Sequence, residues 1–123
     1  MNDQIRPLLV VEDDGLIRMD LADLLADGGY HVLEAANADQ AIMVLEREKQ
    51  VSALLTDIDM PGSLNGIALA NLTAEKWPDC RIIVISGRYN PDQGSLPEGA
   101  RFLSKPIGEK LLHQTLAEMN ISP

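Results

Sequence analysis

Two acidic pairs each follow a short apolar run of this sequence. Glu12 and Asp13 come directly after PLLVV, while Asp57 ends the run VSALLTD and Asp59 lies two residues beyond it. Carboxylates held within a few ångströms of one another either raise each other's pKa or require a cation. Because no imidazole or thiol accompanies them, the donor set suits Mg²⁺, which accepts one or two carboxylates and keeps positions for water and a phosphoryl group.

Two further apolar runs end in a hydroxyl and an ammonium group. Ser86 closes RIIVIS, and Lys105 closes ARFLSK directly before Pro106. A nucleophilic carboxylate, a neutralising cation, a hydrogen-bond donor and an ammonium partner together resemble a site that receives a phosphoryl group. The chemistry to look for is therefore phosphoryl transfer.

The elements that must position these groups alternate along the chain. Apolar strands are predicted at residues 7–12, 30–35, 52–57, 81–86 and 100–105. Stretches of helical period are predicted at residues 14–29, 37–50, 65–77 and 107–119. The first helix should begin after an N-cap at Asp14, stop at Gly28 and Gly29, and bury a face made of Ile17, Leu21, Leu24 and Leu25. Two prolines and three glycines leave room for at most a short helix in the fourth crossover, residues 87–99.

Alternation of strands and crossovers predicts an α/β fold, with a parallel sheet and helices on both faces. In such sheets ligands bind beyond the carboxyl ends of the strands. All the candidate groups lie at those ends, so the predicted fold would gather them at one edge.

Composition and charge limit the partners. The 123 residues predict a single domain, residues 1–123, and the formal charge of -9 argues against nucleic acid and membrane surfaces as partners. No apolar run is long enough for a membrane span, and the first residues lack a signal-peptide pattern, so we expect a cytoplasmic protein. The single cysteine, Cys80, is expected to be buried packing.

Four motifs in register are similar to one known family. The segments LLVVEDDGLIR, LLTDIDMPG, IIVISG and RFLSKPI resemble, in order and approximate spacing, the response regulator receiver domain of two-component signalling. The resemblance runs from about Pro7 to Met119. It implies a flavodoxin-like, doubly wound, five-stranded parallel sheet in the order 2-1-3-4-5, with helices on both faces.

The resemblance also implies an acceptor and a metal site. Asp57 would be the phosphoacceptor, taking a phosphoryl group from a phosphohistidine of a histidine kinase or phosphotransfer protein. Mg²⁺ would be held by Asp13, by Glu12 mostly through water, by Asp57 and by the backbone carbonyl of Asp59.

Further roles are implied around the phosphoryl group. Ser86 would donate a hydrogen bond to one phosphoryl oxygen and Lys105 would pair with another, aimed by a cis bond to Pro106. Phe102 lies at the position of the family's aromatic switch, whose ring turns inward when Ser86 moves. Phe102 could equally be plain core.

The sequence departs from the common receiver pattern in two segments. The turn from Pro61 to Gly66 is one residue longer than the commonest form, and residues 87–99 replace a regular fourth helix. Asp59 and Arg88 occupy variable positions two residues beyond Asp57 and Ser86. We hypothesise that their side chains approach one another and tune the lifetime of the phosphorylated state by gating water.

Three alternatives remain beside a switch that regulates a downstream protein partner. We expect no output domain after the last predicted helix, so the chain would not be an enzyme and would signal only by binding. It could instead be a phosphate sink or relay carrier. The Asp57-Ile58-Asp59 triplet also fits the DxD of haloacid dehalogenase-type phosphatases. In those enzymes, however, DxD lies on the first strand and the acidic pair comes late. An interaction module that has lost phosphorylation would predict a broken site, and this one looks complete.

Overall fold

The computed structural model describes residues 6–48, 50–60, 64–87 and 94–123. Strands and helices alternate in chain order as β1 Leu8–Val11, α1 Gly15–Asp27, β2 Val32–Ala35, α2 Ala38–Glu48, β3 Ala53–Asp57, α3 Gly66–Lys76, β4 Arg81–Ser86, β5 Arg101–Ser104 and α4 Glu109–Glu118. The strands pair in parallel in the order β2-β1-β3-β4-β5. The predicted α/β class and strand order are confirmed.

The three central strands divide the core into two layers. In β1, Leu8 and Val10 pack with residues of α1 and α4 on one face of the sheet, while Leu9 and Val11 pack with α2 and α3 on the other. This division follows from the two-residue period of a strand, whose successive side chains point to opposite faces. With both faces covered by helices, the strands read as continuous apolar runs.

The helix boundaries agree with the predicted caps. The Asp14 carboxylate accepts hydrogen bonds from the backbone N–H groups of Leu16 at 2.9 Å and Ile17 at 3.2 Å, which satisfies two of the unpaired donors of α1. Gly28 closes the same helix. None of the helices in the described ranges is long and apolar enough to cross a membrane.

One residue predicted to face the core does not. Leu25 is fully buried and Leu21 and Leu24 are partly buried, but Ile17 is 44% exposed. Ile17 shares the apolar stripe of α1, since it lines the same groove as Leu21 and Leu24, but this groove is open. The predicted burial of Ile17 was therefore wrong.

The crossover before β5 carries no helix over its described residues, 94–100, which agrees with the prediction from its prolines and glycines. This segment lies against α3: Leu96 and Ala100 pack on a cluster that includes Ile67, and the Asn71 side-chain amide donates to the Ser95 carbonyl at 2.9 Å. Arg88 and the start of this crossover, and the Pro61–Ser63 part of the lengthened turn, lie outside the described residues.

Candidate functional site

Three carboxylates meet at the carboxyl edge of the sheet. Strand β1 delivers Glu12 and Asp13, and the neighbouring strand β3 ends at Asp57, because Val11 and Thr56 are partners in the parallel register. One oxygen from each carboxylate lies within 4.8 Å of the others. Glu12 and Asp57 are 4% and 7% exposed, whereas Asp13 is open to solvent.

Lys105 reaches into this cluster from the end of β5. Its ammonium nitrogen lies 3.0 Å from Glu12 Oε1 and 3.3 Å from Asp57 Oδ2. The peptide bond to Pro106 is cis, and the Lys105 backbone N–H donates to the Ser86 carbonyl at 3.0 Å. The fourth and fifth strands are thereby joined at the same edge as the carboxylates.

Burial and charge shift the two groups of the Glu12–Lys105 pair. Burial raises the pKa of Glu12 above its usual value of 4.5, although the Asp14 backbone N–H and Lys105 act in the opposite direction. Burial by itself would lower the pKa of Lys105, but the hydrogen bond to Glu12 and the negative charge of Asp57 outweigh it, so that pKa is raised. Among the described residues, three carboxylates lie beside one ammonium group at this edge, which leaves a net negative charge.

The donor set fits Mg²⁺. Three carboxylates supply only oxygen ligands, the preference of this hard cation, and the cluster has no imidazole or thiolate within its members. The exposure of Asp13 leaves one side open to water. A divalent cation would also relieve the excess negative charge around Glu12. Which of these oxygens would bind the ion is part of the proposal below.

The structure places the other predicted site residues as follows. Ser86 ends β4 and is fully buried, one position beyond the residue that pairs with Asp57. Asp59 is exposed two residues after β3. Phe102 lies on β5 opposite Val84 and is 37% exposed. The predicted approach of Asp59 to Arg88 concerns a residue outside the described ranges.

Gly66 is a residue at this edge that the sequence analysis did not single out. It begins α3, and its N–H donates to the Ile58 carbonyl at 2.9 Å. A Cβ at this position would overlap the Asp57 carbonyl oxygen and lie 2.8 Å from the Ile58 Cα atom. Only glycine therefore allows α3 to touch the backbone that carries Asp57. The sequence signal that could have identified Gly66 is a glycine directly after Asn65, the N-cap of α3, in the loop that follows β3.

An apolar groove leads to the carboxylates from the side of α1. Its lining includes the side chains of Ile17, Leu21, Leu24, Pro106, Ile107 and Leu112, and it opens onto Asp57 and Lys105. The exposed Ile17 thus borders the site. A larger groove, about 1020 Å³ in volume, lies at the opposite edge of the sheet around Cys80 and Ser122 and includes none of the predicted site residues.

Comparison with known proteins gives one consistent result. A family model described as the response regulator receiver domain matches residues 8–117. The chain is 37% identical over 122 residues to the response regulator receiver protein CpdR of Brucella abortus (strain 2308), and the match covers 96% of this chain and 99% of that protein. Other curated relatives are longer, and the chain spans 28% of one and 12% of another.

Solved structures agree. The receiver domain of the hybrid histidine kinase CckA superposes with a TM-score of 0.75 at 30% identity, covering 94% of this chain and 99% of that one. A CheY-like response regulator receiver domain protein from Methanospirillum hungatei JF-1 superposes with a TM-score of 0.86 at 26% identity, covering 94% of each chain.

Proposed function

Because the chain belongs to the response regulator receiver domain family, we propose that it accepts a phosphoryl group on Asp57 from the phosphohistidine of a sensor kinase or phosphotransfer protein. A carboxylate oxygen of Asp57 forms the bond to phosphorus as the phosphorus–nitrogen bond to the donor imidazole breaks. The products are an aspartyl phosphate on this chain and an imidazole that takes up one proton. Receiver domains are signalling switches, so we expect no steady turnover of substrate by this chain.

One observation carries the proposal. The Lys105 ammonium group contacts both Glu12 and Asp57 in a largely buried cluster beside the exposed Asp13. A structural ion pair needs one carboxylate and one cation; this edge gathers three carboxylates around a single ammonium group. Such an arrangement suits a site prepared for further positive charge and an incoming anionic group.

Each side chain has a role in this reaction. We assign Asp13, Asp57, the Asp59 backbone carbonyl and, mostly through water, Glu12 to Mg²⁺, which would supply positive charge to offset the negative charge of the phosphoryl oxygens. Lys105 exchanges its contact with the carboxylates for one with a phosphoryl oxygen. Its raised pKa keeps it charged at neutral pH.

The remaining roles concern the response to phosphorylation. Ser86 donates its hydroxyl to another phosphoryl oxygen, and the half-exposed ring of Phe102 turns inward as Ser86 moves. A partner that binds one of the two conformations better then shifts the equilibrium between them. The chain acts as a switch for a downstream protein; a role as phosphate sink or relay carrier uses the same chemistry.

The groove beside α1 supports a protein donor. Apolar side chains of this groove border Asp57, so a donor with an apolar surface next to its phosphohistidine would bury them. Similarity to the receiver domain of a hybrid histidine kinase supports a phosphohistidine as the source.

The test is phosphorylation by a small donor, read by intact mass. Wild type, Asp57→Asn and Asp59→Asn are each incubated with acetyl phosphate, with and without MgCl₂. We expect wild type and Asp59→Asn to gain one phosphoryl group only when Mg²⁺ is present, and Asp57→Asn to gain none. Asp59→Asn is the matched control because it removes a neighbouring carboxylate of the same type while keeping its backbone carbonyl.

Two results would contradict the proposal. A gain of equal size in Asp57→Asn would move the acceptor elsewhere, and a gain independent of Mg²⁺ would remove the metal from the reaction. A further incubation with small phosphomonoesters would show steady hydrolysis if the chain were instead a phosphatase.

A further inference from the structure

Arg18 links the acidic loop after β1 to the neighbouring strand β2. From the first turn of α1, its Nη1 donates to the backbone carbonyl of Glu12 at 2.9 Å, and its Nε lies 3.2 Å from Glu34 Oε1 on β2. The side chain is 24% exposed, and a Cβ on Gly15 would lie 3.8 Å from its Nη2. The guanidinium group therefore lies over the start of the helix, between the acidic loop and β2.

This contact acts on the peptide group that precedes Asp13. The Glu12 carbonyl and the Asp13 N–H belong to one planar unit, so fixing its oxygen fixes the orientation of the plane. On its other side Glu12 is held by its own N–H, which donates to the Ala35 carbonyl at 3.1 Å, and by its Oε2, which accepts from the Asp14 N–H at 3.1 Å. Lys105 holds the Glu12 Oε1 at 3.0 Å. Arg18 adds an anchor on the carbonyl of the Glu12–Asp13 peptide group itself.

We infer that Arg18 is a positioning residue for the magnesium site, holding the Glu12–Asp13 peptide plane so that the Asp13 carboxylate faces Asp57. The inference rests on the proposed function, because it assigns the metal to these carboxylates. Glu34 has a subordinate part: it orients the guanidinium group from β2, and it is 44% exposed. The two contacts need a planar group with several N–H donors, since one nitrogen of Arg18 points to the Glu12 carbonyl and another to the Glu34 carboxylate.

A competing explanation predicts the opposite change in the affinity for Mg²⁺. If Arg18 influenced the site only through its charge, it would repel a divalent cation, and removing it would tighten Mg²⁺ binding. If it positions Asp13, removing it weakens binding even though a repelling charge is lost. Arg18→Lys separates the two again, because it keeps the charge but replaces the planar fork with a single ammonium group.

The experiment is calorimetric titration of MgCl₂ into the metal-free protein, using wild type, Arg18→Ala, Arg18→Lys, Glu34→Ala and Arg47→Ala. Arg47 is the matched control: it lies on α2, pairs with Glu48 at the surface, and its loss changes the net charge equally. We expect the dissociation constant to rise about tenfold in Arg18→Ala and nearly as much in Arg18→Lys. Glu34→Ala should raise it about threefold, and Arg47→Ala should leave it unchanged.

A second readout concerns phosphorylation by acetyl phosphate. The Mg²⁺ concentration needed for half-maximal rate should rise in Arg18→Ala, while the rate at saturating Mg²⁺ stays close to wild type, since Arg18 contacts neither Asp57 nor Lys105. A merely structural role would also lower the rate at saturating Mg²⁺. Thermal unfolding of each metal-free variant identifies any that does not fold; if Arg18→Ala does not, Arg18→Lys carries the test.

The two proposals fail in different ways. Wild type that binds no Mg²⁺ contradicts the metal site itself. Wild type that binds Mg²⁺ while Arg18→Ala and Arg18→Lys bind it equally well, or more tightly, overturns the role of Arg18 and leaves the metal site intact.

Discussion

At the scale of single residues, the proposed phosphoacceptor Asp57 depends on a neighbour without a side chain. Asp57 ends a buried strand, and its carbonyl lies directly beneath the first residue of α3. The contact is backbone on backbone, so the distance between the strand end and the helix is set by the absence of a Cβ at Gly66. In the proposed function, charge attracts a metal and a phosphoryl group to this edge, and the close approach of the two backbones holds Asp57 in place.

Gly66→Ala is expected to damage both stability and phosphorylation. The added methyl group must displace the Asp57–Ile58 backbone, at a cost of about 1–3 kcal/mol in the free energy of unfolding. The shifted strand end should also slow phosphorylation by acetyl phosphate. Urea denaturation and intact mass measure the two effects.

Gly15→Ala is the control for this prediction. Gly15 also begins a helix, but its added Cβ would meet only Arg18 Nη2 at an ordinary 3.8 Å. We expect it to fold at least as stably as wild type, because alanine favours a helix over glycine. If the two variants behaved alike, the argument from close approach would be wrong.

At the scale of elements, residues 94–100 of the connection between β4 and β5 lie against α3 without forming a helix. Leu96 and Ala100 supply apolar contact, and the Asn71 amide donates to both the Ile67 and Ser95 carbonyls, at 3.0 and 2.9 Å. Because Ile67 also packs with Ile58, next to Asp57, the segment shares a core cluster with the backbone of the site.

Asn71→Ala is expected to loosen residues 94–100 without unfolding the sheet. Losing the hydrogen bond to the Ser95 carbonyl, which joins the segment to α3, should lower the free energy of unfolding by about 0.5–1 kcal/mol and speed amide hydrogen exchange in that segment. Amide hydrogen exchange measured by mass spectrometry checks this prediction. Gln114→Ala is the control, since the Gln114 amide donates to Glu118 within α4. Unchanged exchange in Asn71→Ala would show that apolar contact alone holds the segment.

At the scale of the whole molecule, the two edges of the sheet have separate tasks. The carboxyl edge gathers the candidate site residues, whereas the amino edge carries the larger groove, which none of those residues lines. There Cys80 is 7% exposed, and the Tyr30 hydroxyl donates to the Ile121 carbonyl at 2.9 Å. Burial raises the pKa of the Cys80 thiol from 9.0 to about 12.

That shift predicts how stability depends on alkaline pH. Between pH 9.0 and about 12 the unfolded chain loses the Cys80 proton while the folded chain keeps it. The unfolded state then binds fewer protons, so the free energy of unfolding falls as pH rises, by about 1.4 kcal/mol per pH unit from this group. Below pH 9 both states hold the proton and the contribution is constant.

The measurement is urea denaturation of wild type and Cys80→Ala from pH 8 to 10.5. The contributions of other titrating groups cancel in the difference between the two free energies of unfolding. That difference should shift in favour of Cys80→Ala as pH rises, and the cavity left by the smaller side chain adds only a constant. A difference independent of pH would contradict the shifted pKa. Phosphorylation at neutral pH should be equal in the two proteins, since Cys80 lies at the edge away from Asp57.

Much of this protein follows from local sequence pattern. Continuous apolar runs separated by helical stretches determined a parallel sheet covered on both faces, and the groups that end those runs determined which edge carries Glu12, Asp13, Asp57, Ser86 and Lys105. Asp14 and Gly28 set the ends of α1 in the same local way. These features depend on residues a few positions apart, whose periods of 2 and 3.6 can be read directly along the chain.

Contacts between distant segments were decided only by tertiary structure. Ile17 has the spacing of a core residue but lines an open groove and is 44% exposed, and nothing in its local pattern distinguishes it from Leu21 or Leu24. Lys105 lies between two carboxylates because the register of β1, β3 and β5 places it there. Arg18 reaches the Glu12 carbonyl, and Gly66 touches the Asp57 backbone, through atoms common to every residue type. A main-chain carbonyl leaves no mark in a sequence, so its partners emerge only when the chain is folded.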